Sequence, residues 1–234
     1  MPDPLAAVLR ERIPYILFGT VFLFAGFCAC GVALLRRTGF KLLAWLGIWS
    51  AIEGCRYLFS SLADLNLLPH WFRVSFQFLD NIVGYLVVVV ALMAFLQLSR
   101  DKLRLFLRGA VAAALALAVA GIGFFLFAGS PYKLMVLNHL LVACSLAVLG
   151  VVVAVPRFSL RFLILPNRIV LSIGIFLFSL EAVYGNLSLP LGLPNPPEIL
   201  DPLGFALLLF CFGYAAARQL ETSSMLANGL PLKH

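Results

Sequence analysis

Glu53 and Arg56 stand three residues apart inside an otherwise apolar stretch, Leu42–Leu62. On a helix that spacing puts both on one face, where a carboxylate and a guanidinium can pair. Trp45 and Trp49 precede them at steps of four, and the four side chains fall within about 80° of one another at 100° per residue. Gln77, Asp80, Asn81 and Gly84 share a face of the next apolar stretch. Asn138 and His139 open a later one, and Glu181, Tyr184 and Gly185 gather near the end of another. Ionisable groups in hydrocarbon are costly and mark a function or a packing partner. Trp49, Glu53, Arg56, Asp80, Asn81, Asn138, His139, Glu181 and Tyr184 therefore form the candidate ligand-binding set. Aromatic faces from Trp49 and Tyr184, with charge from Arg56, Asp80, His139 and Glu181, suit a small amphipathic ligand. His139 brings an imidazole, whose charge changes near neutrality, so binding is expected to respond to pH between roughly 5.5 and 7.5. The competing reading is packing, since buried polar side chains also pin helices together.

The elements that must position these groups are seven apolar runs: Ile13–Leu35, Leu42–Leu62, Val74–Leu98, Gly109–Phe127, Leu134–Val155, Ile169–Leu187 and Ile199–Ala217. A hydrocarbon core of ~30 Å needs ~20 helical residues. With no water there to satisfy the backbone, each run is expected to be a helix. Composition agrees, with 63% hydrophobic and 12% charged residues and a mean hydropathy of +1.05. The expected fold is all-α: a polytopic integral membrane protein of seven transmembrane helices, one domain over residues 1–221, then a short tail over 222–234. The first run, at 23 residues, is longer than a signal-peptide core and is kept as a span.

Lys and Arg alternate between the two sides of these runs. Twelve lie in the first, third and fifth loops and the tail; four lie in the amino-terminal arm and the second and fourth loops. Basic loops stay cytoplasmic, so the amino terminus is expected outside and the carboxyl terminus inside. Arg10 and Arg12 in the arm pull weakly the other way. In this orientation the polar side chains fall in the outer half of the membrane, with Glu53 near its middle, while Leu86–Ala94, Leu146–Val155 and Ile169–Phe178 are nearly pure hydrocarbon. One-sided polarity suggests an outward-opening pocket; a channel needs polar groups all the way across. The sixth loop, Ser188–Leu200, is stiffened by four prolines and leads into Asp201-Pro202, which reads as an N-cap followed by a first-turn proline. Asn186-Leu187-Ser188 matches a glycosylation sequon but lies against the membrane.

Several chemistries are disfavoured. The net charge of +7 resides in loops, where it reports topology and not nucleic acid. The five cysteines, Cys28, Cys30, Cys55, Cys144 and Cys211, all fall within runs, and no disulfide is expected. No run contains a lysine for a Schiff base, and only His139 lies inside one, so neither retinal nor haem is expected. No cofactor, metal set or catalytic motif is visible. No inverted repeat is apparent, and every proline lies at or beyond the end of a run.

The second-run sequence Gly47-Ile48-Trp49-Ser50-Ala51-Ile52-Glu53-Gly54-Cys55-Arg56 and the exit Gly213-Tyr214-Ala215-Ala216-Ala217-Arg218-Gln219-Leu220-Glu221 carry a resemblance. With the seven-run plan, they resemble the amino-terminal seven-helix sensory input modules of bacterial histidine kinases, diguanylate cyclases and serine/threonine phosphatases. The resemblance spans residues 13–221 and is mainly architectural. It implies a receptor module in the bacterial inner membrane, with a lipid bilayer around it and a cytoplasmic kinase or phosphatase as signalling partner; a homodimer is compatible with it. No output domain follows Glu221, so the expectation is a stand-alone module or part of a longer signalling protein. Two alternatives stand beside it. One is a small transporter or transport accessory subunit. The other is a membrane-embedded enzyme on lipid-like substrates, with Glu53, Asp80 and His139 as acid/base groups.

Overall fold

The computed structural model describes residues 4–35, 41–128, 132–155, 157–158, 168–194 and 196–227. The predicted tail beyond 227 and the loop arginines Arg36, Arg37 and Arg161 lie outside them. Seven helices account for nearly all of the described chain: α1 Pro4–Leu35, α2 Lys41–Asp64, α3 His70–Leu98, α4 Asp101–Ala128, α5 Tyr132–Ala154, α6 Arg168–Leu191 and α7 Leu200–Ala227. Five contain segments long and apolar enough to cross a membrane: Val8–Leu35, His70–Leu98, Asp101–Phe127, Leu134–Ala154 and Ile169–Ser188. The apolar part of α7, Leu200–Ala215, is shorter. Glu53 and Arg56, with Trp, Tyr, Gly and Ser neighbours, lower the hydropathy of α2.

The helices outrun the predicted runs at several ends. α1 begins nine residues before Ile13 and carries Pro14 inside it; α6 continues to Leu191 and carries Pro190 in its last turn. Pro190, in a last turn, forfeits little hydrogen bonding, so α6 passes through it; Pro14 stands in the interior of α1, where its missing N–H leaves the Arg10 carbonyl without its i+4 donor. The predicted sixth loop shrinks accordingly, with Gly192 at φ +63° closing the end of α6. Asp201 is not the N-cap expected of it, because α7 already begins at Leu200 and Asp201 lies in its first turn.

Neighbouring helices run antiparallel, as the paired contacts Gly19–Gly54 and Gly26–Gly47, Arg56–Asp80 and Trp49–Phe95, and His139–Asn186 and Gly150–Ser179 show, and α7 returns against α1 to close a ring. The tightest seam joins α1 to α2. A Cβ on Gly54 would lie 2.5 Å from the Leu23 amide nitrogen, and one on Gly26 would lie 2.6 Å from that of Ala51. Glycines at i and i+7 on both helices, Gly19 and Gly26 facing Gly47 and Gly54, let the backbones touch. Ser50 Oγ donates to the Phe22 carbonyl across the seam at 2.7 Å. In lipid such close van der Waals packing and interhelical hydrogen bonding, not water exclusion, drive association.

Inside the ring an aromatic cluster ties five helices together. Trp49 of α2 lies against Phe205 (α7), Phe178 (α6) and Phe95 (α3), with centroids 4.8, 5.6 and 5.9 Å away. Phe22 of α1 meets Phe205 edge-on at 4.9 Å. The outside of the bundle is apolar. On α1, Leu17, Phe24 and Phe27 are 62%, 71% and 65% exposed. An outer surface of this kind belongs in a bilayer.

Candidate functional site

Because neighbours are antiparallel, the carboxyl ends of α2 and α6 and the amino ends of α3, α5 and α7 meet at one end of the bundle. The polar side chains collect there. Arg56 Nε donates to Asp80 Oδ1 at 2.8 Å, and its Nη1 donates to Glu53 Oε2 at 3.2 Å. The pair suggested by the i, i+3 spacing on α2 is thus present and reaches Asp80 on α3. The Tyr57 hydroxyl donates to the Asp201 carboxylate, joining α2 to the first turn of α7. His139 on α5 lies 2.7 Å through Nδ1 from Asn186 Oδ1 on α6. Nearer the rim, Arg12 bridges Asp64 at 3.2 Å and Glu198 at 3.5 Å. That arm arginine is matched by two carboxylates.

A cavity of about 270 Å³ opens beneath these groups, walled by α2, α3, α5, α6 and α7. α1 and α4 contribute none of its lining and buttress it from outside. Each wall presents one helical stripe: Trp49, Glu53 and Arg56 on α2; Gly84, Val88, Leu92 and Phe95 among others on α3; Met135, Asn138, His139, Val142 and Leu146 on α5; Phe178, Ala182 and Asn186 on α6. These steps of three and four are the period of a helix face. The lining spans Gly84 to Phe95 on α3 and Met135 to Leu146 on α5, so the cavity runs about 16 Å along the bundle at 1.5 Å per residue. Its upper part is polar, with Arg56, Glu53, Asp201, Asn138, His139 and Asn186. Its lower part is Val88, Leu92, Phe95, Leu146, Phe178 and Trp49.

Asn138 is 4% exposed, yet its Oδ1 has no hydrogen-bond partner among the described residues. A buried carbonyl left without a donor costs about 1–3 kcal/mol. Trp49 is both wall and core, its buried indole N–H lacking a hydrogen bond of standard geometry while interacting with the Glu53 carboxylate one turn on.

The nine candidate residues therefore divide. Trp49, Glu53, Arg56, Asn138 and His139 line the cavity. Asp80 is held behind Arg56, and Asn81, next to it on α3, is not part of the lining. Glu181 turns from the cavity toward α7, where a Cβ on Gly204 would lie 3.1 Å from its Oε2. Tyr184 is 42% exposed and donates to the Pro194 carbonyl at 2.9 Å, pinning the loop that follows α6. Gln77 lies in α3, but its side chain is outside the described residues. Asn186 reads in the sequence as a sequon position and Asp201 as a cap, and the structure adds both to the lining. A signal for Asn186 existed, since Ala182 and Asn186 continue the stripe from Phe178 at steps of four. Tyr57 follows directly on Arg56 and is likewise outside the candidate set.

All five cysteines are free, with Cys28 and Cys144 exposed and Cys211 buried. Among the described residues, no group of three His, Cys, Asp or Glu could hold a metal ion. Fold and site together define a class: a multi-helix, membrane-type protein with a half-polar cavity inside the bundle. Comparison with known protein families, with curated proteins and with solved structures returns no match.

Proposed function

We propose that this protein is a membrane-embedded sensory or receptor module of the bacterial inner membrane, binding a small amphipathic ligand in the cavity between α2, α3, α5, α6 and α7. In this reading all seven helices span the bilayer, the amino terminus is outside, and the polar end of the cavity faces outward. The observation that carries it is the cavity itself, closed by packed aromatics below and lined above by Asn138, whose buried carbonyl oxygen lacks a donor. A purely structural polar layer would satisfy that group internally. The output element is α7. Its first turn contributes Asp201 to the lining and accepts the Tyr57 hydrogen bond, so occupancy bears directly on the helix that leads to the carboxyl end. A cytoplasmic kinase or phosphatase would read that movement. Glu53 and Asp80 are held against Arg56 and Asp201 accepts from Tyr57, which suits recognition better than proton transfer.

The test is a thermal-shift screen of the detergent-solubilised protein against small metabolites and lipids, repeated with Asn138→Leu and Glu181→Gln. A ligand whose stabilisation is lost in Asn138→Leu and kept in Glu181→Gln supports a receptor cavity, because Glu181 faces α7. An empty screen, or hits indifferent to Asn138, returns the cluster to packing.

A further inference from the structure

We infer that the cavity takes a small organic cation, a protonated amine carried on an apolar tail; this rests on the receptor reading above and specifies its ligand. The first observation is charge. Arg56 is the cavity's lining cation, and it is already shared between Glu53 and Asp80. Asp201 lines the same space and takes its hydrogen bond from the uncharged Tyr57 hydroxyl. The polar end thus holds two carboxylates on one guanidinium and a third, Asp201, that is paired with no cation among the described residues. An anionic headgroup would have to compete with two carboxylates for Arg56 and approach a third, whereas a cation completes the balance.

The second observation is hydrogen bonding. Asn138 Oδ1 is a buried acceptor without a donor among the described residues. Asn186 Nδ2 donates to the Ala182 carbonyl at 2.7 Å, which turns its Oδ1 toward His139 as an acceptor. His139 Nδ1 is then the donor, and a neutral imidazole protonated there presents Nε2 as an acceptor. Asn138 Oδ1 and, in that tautomer, His139 Nε2 are therefore acceptors at the polar end, beside the Glu53 and Asp201 carboxylates. The third observation is the wall below. Trp49, Phe95 and Phe178, with Val88, Leu92 and Leu146, form an apolar wall that accepts a hydrocarbon tail. The volume, about 270 Å³, lies at the small end of ligand sites.

The experiment is isothermal titration of the full chain in zwitterionic lipid nanodiscs, with empty discs subtracted, using hexylammonium, hexyltrimethylammonium, 1-hexanol and hexanoate. Hexylammonium is expected to bind saturably, at least about tenfold tighter than hexanol or hexanoate, a difference well within one favourable charge interaction. Hexyltrimethylammonium, charged but without N–H donors, is expected between them. Asn138→Leu should bring hexylammonium down to the level of hexyltrimethylammonium. Asp201→Asn should weaken both ammonium ligands and leave hexanol unchanged. Hexanoate or hexanol binding as tightly as hexylammonium would overturn the charge assignment while leaving the receptor cavity standing. No saturable binding by any of the four would overturn both. If a variant does not fold, the ranking of the four probes on the unaltered chain decides.

Discussion

Arg56 is the side chain on which most of the polar end depends. Glu53 and Asp80 approach it from two helices, and the side chains of Glu53, Arg56 and Asp80 are 15%, 33% and 39% exposed. Asp80 can regain water if its partner is lost; Glu53 cannot. A buried charge stripped of its counter-ion is costlier than a pair removed together. Arg56→Ala should therefore melt at a lower temperature in detergent than the double variant Glu53→Gln with Arg56→Gln, as read by intrinsic fluorescence. Equal melting would mean that the pair contributes nothing. Asn138 gives the opposite forecast. Its carbonyl is already unsatisfied, so Asn138→Leu removes a buried polar cost and is expected to leave the unliganded melting temperature unchanged or raised. A fall comparable to that of Arg56→Ala would show that Asn138 is bonded in the native protein after all.

At the scale of elements, α2 has two faces with different tasks. Trp49, Glu53 and Arg56 look into the cavity, while Gly47, Ser50, Ala51 and Gly54 lie against α1. The run that prompted the resemblance to sensory modules is therefore in large part a helix-packing seam. Gly54→Val would force backbones apart that already touch, since even a Cβ would lie 2.5 Å from the Leu23 nitrogen. Overpacking of a tight interface costs about 1–3 kcal/mol or more. Gly31 on α1 has nothing within 4 Å of an added Cβ, so Gly31→Ala serves as the control. It should stabilise by up to about 1 kcal/mol through helix propensity alone. Thermal unfolding of the two variants beside the parent checks both, and equal melting would contradict the close approach of α1 and α2.

For the whole molecule the open question is direction. The twelve-to-four distribution of basic residues argues for cytoplasmic first, third and fifth loops. Arg12, which counts against that direction, is paired with Asp64 and Glu198. A reporter active only in the cytoplasm should give signal when fused after Arg104 and none when fused after Pro196. The reverse pattern would turn the cavity toward the cytoplasm and end the outward-facing reading. The purified protein should also show no visible absorbance; a visible band would reveal a chromophore held by groups other than an intramembrane lysine or a histidine pair.

What the residues determined by themselves was the class and the end of the bundle where chemistry could occur. Apolar runs of bilayer length leave a helix as the only way to satisfy the backbone, and helical periodicity then places Trp49, Glu53 and Arg56 on one face. Periodicity within one helix does not say which neighbour that face meets. Only tertiary packing decided that Arg56 reaches Asp80, that Glu181 and Tyr184 turn away from the cavity, and that Asn186 and Asp201 turn into it. The cavity likewise belongs to no single helix. It lies between five stripes that the described side chains do not fill, with α4 packed outside against α3 and α5 and touching glycines holding α1 against the back of α2.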